Sequence, residues 1–464
     1  MVLITITLTI LKIRTKQFKP VISVNYNEKI DKLTKPKNYD PKDNAAPIAR
    51  KAFDSLNDLD IPEYAFNEGV IKLEQVHPKR LKHVEQLIKS KHNALKQLHQ
   101  AGQKPYYWRK CFYSSGVDKR DKSELSIMLL PKAITALIWR AKLHVENNNI
   151  PAAMADLTLA HKVYDYFELE SRYSVDEFIK RITRNIVYTV QTNTVNADSL
   201  KAMQNDIESR DPGDFDKYLE IGRLIILDQI QNKFTYDGNG DGTLIPPKVP
   251  LTDVSSVKAF KDNIKYHKSA KAVSQTHDSR KVTIEKLNKS INLGKELSKL
   301  TPWEISKKNT RLYEAYLLKN MAPNRFLNSY LNSNYLYWNY FEMAAHREAL
   351  ISILAINRYN AEKGTFPASL QELKKKGYIS TIPPDPYSDN SFVYKRTNKG
   401  FVLYSVGRDF KDNGGKYNEI ECWDDTENGS DYVFWPIELK EHENEYNTQI
   451  NEYFTDPDYV EKKI

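Results

Sequence analysis

The chain has little cysteine, no long hydrophobic run and no strong surplus of one charge. Cys111 and Cys422 are the only two cysteines in 464 residues, which excludes a disulfide-dense scaffold. They stand far apart, in no CxxC or Cys/His ligand spacing, so a structural zinc site of the usual kind is excluded as well. Two buried free thiols are the simplest expectation, and a disulfide is an alternative only in an oxidising compartment. Lys plus Arg number 69 against 60 Asp plus Glu, a formal charge of +9. Over this length that surplus permits contact with anionic lipid, wall polymer or nucleic acid without arguing for any of them. The lysines are scattered among acids and no nucleic-acid-binding motif accompanies them, so nucleic acid is not an expected partner.

Signatures of catalysis are also missing. There is no GxSxG, P-loop, dinucleotide fingerprint or cysteine–histidine arrangement. The ten histidines show no HExxH or other paired metal spacing, and His77, His83, His92 and His99 read as surface residues of a lysine-rich helix. Carboxylates are abundant, but nothing singles out an acid pair. The aromatic run at 335–341 (YLYWNYF) reads as core packing and not as a carbohydrate platform.

No stretch approaches the roughly 20 apolar residues that a membrane-spanning helix needs. Residues 2–11 (VLITITLTIL) are apolar and are followed by Lys12, Arg14 and Lys16. The segment is open to three readings: the end of a membrane anchor, a shortened signal sequence, or a strand of period two.

The pattern along the rest of the chain is mainly helical. Residues 17–62, punctuated by Pro20, Pro36, Pro41 and Pro47, read as an extended arm with a short helix from Ala46. A helical domain is expected over 63–335. Within it, residues 79–100 carry Leu81, Val84, Leu87, Ile88, Leu95 and Leu98 at helical spacing. Pro131 and Pro151 are placed as first-turn residues of two helices that form a hairpin, 131–147 and 150–167. Further helices are expected over 175–195, 199–210, 213–232 and 258–299. One or two more should cover 303–359, interrupted near Pro323. Residues 234–251 are loop. There the run DGNGDG places Asp237, Asn239 and Asp241 at positions one, three and five of an EF-hand-like loop, with Gly242 at six. Position twelve is Lys248 where a Glu is needed, and Pro246 and Pro247 oppose an exiting helix, so a polar turn is the main expectation.

Residues 336–440 read as a small α+β module, followed by a polar tail at 441–464. A helix ends at Gly364, a short helix covers 369–373, and strands at 391–396 and 400–406 are joined by a turn at Asn398 to Gly400. The ordered set Arg358, Tyr359, Gly364, Phe366, Pro367, Leu370, Leu373, Tyr378, Pro383, Asp385, Pro386, Tyr387, Tyr394, Gly400, Leu403, Tyr404, Ser405, Gly407, Asp409, Gly414 and Gly415 resembles the C-terminal globular part of the major type II secretion pseudopilins. The resemblance covers less than a fifth of the chain. It implies a calcium loop, which would fall on the backbone at Val406 and on Asp409, with Asp412 and Glu419. The helix before the module departs from the family, because it carries Glu342, His346, Arg347 and Glu348 and follows hundreds of residues. The resemblance therefore implies a reused module that acts as an interaction or structural cap.

The expected protein is mainly α with a small α+β C-terminal module, non-catalytic and associated with the cell envelope. Its partners would be proteins, calcium its one cofactor, and an N-terminal membrane anchor or export its route to the envelope. The alternatives are a hydrolase with a carboxylate site on the helical body and a component of a type II secretion-like system.

Overall fold

The computed structural model describes residues 20–59, 61, 76–110, 125–165, 176–210, 214–245, 277–308, 325–328, 333–416 and 431–437. The segment 2–11, Cys111, Cys422, Glu419, Lys248, Pro246, Pro247 and Pro323 lie outside the described residues, as do 258–276 of the helix expected at 258–299.

The chain is mainly helical, with one small antiparallel sheet near its C-terminal end. The helices begin where side chains can accept the free amides of a first turn. Asn25 starts α1 (Tyr26–Thr34) in this way. Helix α2 spans Ala46–Leu56. Helices α3 (Pro78–Ser90) and α4 (His92–Gly102) continue one another through Lys91. Its amide donates to Leu87 O at 3.2 Å and its carbonyl accepts from Leu95 N at 3.0 Å. The run expected at 79–100 is thus two helices meeting at one irregular residue.

Helices α5 (Leu125–Glu146) and α6 (Ile150–Asp165) form the expected hairpin, with Asn148 at φ 55° in the turn. Pro151 lies in the first turn of α6, but Pro131 does not start α5. It sits inside the helix. An interior proline costs about 3 kcal/mol. Here it is offset by the burial of Leu130, Ala133, Ile134 and Leu137 around it, each large apolar side chain contributing about 1.5–3 kcal/mol.

Helices α7 (Asp176–Thr192) and α8 (Ala197–Ser209) follow, the latter capped by Asn196. Next come α9 (Phe215–Lys233), capped by Asp214, and α10 (Arg280–Leu297), capped by Ser279. Thr301 and Glu304 close a reciprocal capping box on α11 (Pro302–Lys307). The long α12 (Ser333–Lys363) leads into the short α13 (Leu370–Lys375), which Ser369 caps.

Strands β1 (Val393–Thr397), β2 (Gly400–Ser405) and β3 (Tyr432–Trp435) pair in that order, all antiparallel. The β1–β2 hairpin was legible in the sequence. β3 was not, because only four residues pair and they stand far from the hairpin.

One hydrophobic core runs through most of the molecule. It joins Ala45 and Phe53 of the arm, Leu95 and Leu137 of the body, and Leu350, Leu354 and Leu403 of the C-terminal module. A second core pairs Phe215, Ile226 and Ile230 of α9 with Leu287 and Ile291 of α10. A third seats Ile30 of α1 on Ile221, Leu224 and Ile225 of α9. Two helices of the arm therefore pack into the body. Around α12 apolar burial is nearly continuous: Ala345, Ala349, Leu350, Ile351, Ile353, Leu354, Ala355 and Ile356 are all buried. A helix that is apolar all round must be covered all round. The sheet lies against α12 on one side, and α7 and α8 of the body cover it elsewhere.

Candidate functional site

The residues that carry the family resemblance tie the module together. Tyr359 OH donates to Glu372 Oε1 at 2.7 Å, holding α13 against α12. Tyr378 OH donates to Glu362 Oε2 at 2.5 Å. Tyr394 OH reaches back from β1 to Pro367 O at 2.7 Å. Arg358 is buried and faces the body. Its Nη1 donates to Gln204 Oε1 on α8 at 3.0 Å, and its guanidinium lies 4.5 Å from the centre of the Tyr378 ring. Gln204 Nε2 also donates to Tyr378 O at 2.7 Å. This pair fastens module to body across 154 residues of chain, and no local pattern announces it.

Asp385 pins the turn at 383–387 to the end of β2. Its carboxylate accepts from Ser405 Oγ at 2.8 Å, Val406 N at 2.9 Å and Tyr387 N at 3.0 Å. Burial pushes its pKa above the usual carboxylate value against the pull of these three bonds.

The loop after β2 contains the residues expected to bind calcium. Gly407, Gly414 and Gly415 have positive φ of 72°, 79° and 85°, which a side chain at those positions would oppose. Asp409 accepts from Lys411 N at 3.1 Å and from Asn413 Nδ2 at 2.9 Å. Asp412 Oδ1 accepts from Gly414 N and from Tyr404 OH, both at 2.8 Å. Burial opposes ionisation of Asp412, but these bonds hold its pKa below the usual range. Asp409 and Asp412 thus share one loop.

Sequence analysis missed Asp431, which closes that loop from the start of β3. Its carboxylate accepts from Asn413 N at 3.0 Å and Gly415 N at 2.6 Å. Burial raises its pKa first, and the nearby Asp412 charge adds to this. The available signal was faint: an aspartate just before the aromatic alternation of residues 432–435. The donors are hard oxygens of the kind calcium takes, but as placed they are engaged by backbone amides. Among the described residues no group of three or more His, Cys, Asp or Glu stands ready to hold a metal ion.

The DGNGDG run is a tight polar turn. Asp237 Oδ1 accepts from Asn239 N at 2.8 Å and Asp241 N at 2.9 Å. Asp241 Oδ1 accepts from Gly242 N and, across the loop, from Lys281 N at 2.9 Å in the first turn of α10. Asn239 contributes its backbone amide to this network and not its side chain. A side chain on Gly242 would press its Cβ to 2.0 Å from Thr235 O, which explains glycine at that position.

Two polar clusters lie deeper. Where α12 meets α7, Glu342 pairs with Lys180, and Arg408 Nη2 lies 3.5 Å from its other oxygen. One turn on, His346 is 3 % exposed and neither ring nitrogen has a hydrogen-bond partner. The rings of Tyr432 and Phe434 meet it edge-on at 4.8 and 5.7 Å. Burial, then the charges of Lys180 and Arg184, hold its pKa well below that of free histidine.

In the body, the buried Asp156 of α6 accepts two bonds from Arg140 of α5, at 2.8 and 2.5 Å. His99 Nε2 of α4 donates to it at 2.7 Å, and His144 Nε2 stands 3.6 Å away. His99 is therefore a hydrogen-bond partner in a cluster that joins three helices, and not the simple surface residue expected. The bidentate guanidinium takes up both oxygens of Asp156, so the cluster reads as a fastening.

Compared with family models, curated proteins and solved structures, the chain finds no match. Among the described residues, no helix is long and apolar enough to cross a membrane.

Proposed function

We propose that the chain is a non-catalytic interaction protein of the cell envelope, in which a pseudopilin-like module serves as a fixed cap on a helical body. One observation carries this proposal: α12, the helix that leads into the module, is covered by the sheet and by α7 and α8, and Arg358 is bonded to Gln204 of the body. Over residues 340–360, whose side chains are described, a helix covered in this way offers little free face with which to polymerise. That favours a cap over a secretion-fibre subunit. Asp156 and Arg140, Glu342 and Lys180 are held in ion pairs and Asp431 in loop-closing bonds, which favours a structural role over a hydrolytic one.

The loop at 407–415 is the part of the module that we assign to a ligand or partner. Calcium held by Asp409 and Asp412, with Asp431 and backbone carbonyls, would stiffen it as a contact surface. Calorimetric titration of calcium into the full chain tests this, with Asp409→Ala as the control. Binding that is lost in the variant is the expected result. No heat of binding in the folded wild-type chain would remove calcium from the proposal and leave the cap alone.

A further inference from the structure

Helices α3 and α4 hold a concentration of positive charge. Between His77 and Lys104 the chain carries Lys79, Arg80, Lys82, Lys89, Lys91, Lys96 and Lys104 against one acid, Glu85, while the formal charge of the whole chain is only +9. Three of these have structural partners or positions. Arg80 is buried, Lys91 pairs with Asp58 at 2.5 Å, and Lys104 Nζ donates to Lys42 O at 2.8 Å. Lys79, Lys82, Lys89 and Lys96 remain, all exposed and none in an ion pair among the described residues. Exposed His83 and His92 lie among them. By contrast, Lys32 pairs with Glu28 at 2.8 Å and Lys286 with Asp278 at 2.7 Å.

The spacing makes these four a row. Lys79, Lys82 and Lys89 fall three and seven residues apart, on one helical face. Lys96 follows seven later, past the irregular residue. Val84, Ile88, Leu95 and Leu98 fix the opposite face in the core, so the row looks outward. At 1.5 Å per residue it is about 26 Å long.

The chemistry selects the partner. All four cations are lysines, hydrated point charges without the planar fork that reads base edges. No arginine and no Phe, Tyr or Trp ring is exposed on α3 or α4, so the small imidazoles of His83 and His92 are all that bases would have to stack on there. Pro78 is the sole exposed apolar side chain there, too little to insert into hydrocarbon. A plane of anionic headgroups fits what is left.

We infer that the outer face of α3 and α4 adsorbs to a bilayer surface rich in anionic phospholipid. This adds a binding surface to the proposed function and does not depend on the calcium loop, since α3 and α4 pack chiefly on α2, α5 and α6.

The test is co-sedimentation of the full chain with vesicles of phosphatidylcholine alone and with vesicles in which about a third of the lipid is phosphatidylglycerol, at about 0.1 M salt, where the screening length is about 10 Å. Binding to the anionic vesicles only, weakened by added salt, is expected. Each lysine close to such a surface strengthens binding about fivefold, so replacing Lys79, Lys82, Lys89 and Lys96 with Gln should weaken it by at least about a hundredfold. The four positions are exposed, and unchanged circular dichroism verifies folding. A second variant makes the same charge change on the module, at Lys363, Lys374, Lys375 and Lys399, and should bind as the wild type does. Equal binding to both kinds of vesicle overturns the inference. So does equal loss in the two variants, and so does tighter binding to a short single-stranded RNA than to the anionic vesicles.

Discussion

Lowering the pH from about 7.5 to about 5.5 should weaken the fold through His346 by about 1.4 kcal/mol. The ring is buried where α12 meets α7 and β3, neither nitrogen has a partner, and Lys180 and Arg184 oppose a further positive charge. Its folded pKa therefore lies well below that of the unfolded chain, about 6.5. Above that unfolded value both states are neutral and the stability is fully present. Below it only the unfolded chain takes up the proton, and stability falls by about 1.4 kcal/mol per pH unit until the folded pKa is reached.

Urea unfolding, followed by circular dichroism at both pH values, measures the fall. Other groups titrate over the same range, so the diagnostic quantity is the difference between the wild type and His346→Leu. Leucine removes the proton site without breaking a hydrogen bond, so at pH 7.5 the variant should lie within about 1 kcal/mol of the wild type. Its loss on acidification should be smaller by the full His346 contribution. An identical loss in both proteins would refute the linkage and mean that the joint accommodates a charged imidazole.

Three further outcomes follow from the same contacts. Asp385→Ala leaves Ser405 Oγ and the amides of Val406 and Tyr387 without their acceptor, and should cost about 3–5 kcal/mol in thermal or urea unfolding. Arg358→Met and Gln204→Leu should each destabilise the protein, and together by less than their sum, with a coupling of about 1–2 kcal/mol in a double-mutant cycle. Asp156→Asn removes the charge that sustains the proton on His144, whose pKa burial already holds below its free value; proton NMR titration should show it lower still, and an unchanged value would mean that the two do not interact.

What the sequence made legible was local. Pro151 near the start of α6, Ser369 capping α13 and the turn at Asn398 between β1 and β2 are signals written within a few residues, and each element falls close to where it was expected. The module's order of elements was readable for the same reason. The start of α5 was misplaced because first-turn chemistry at Pro131 was weighed without the burial that carries the helix through it. The arm held more than was read, since the burial of Ile30 against α9 depends on residues nearly two hundred positions away. The candidate site was half legible. Asp409 and Asp412 are local to a glycine-rich turn, whereas Asp431 reaches that loop, and Gln204 and Lys180 reach the module, only through folding. His346 was visible as an odd residue in an apolar helix, but its isolation is a property of the packed joint.

The claim that most needs testing is that the module is a fixed part of the body and not a free head. Native-state amide hydrogen exchange on the full chain measures this directly. The core of α12 should exchange only through an opening with the same free energy and denaturant dependence as that of α7 and α8. If α12 and the sheet instead opened together at lower free energy, with α7 and α8 still protected, the module would be an independent unit and the cap would be contradicted.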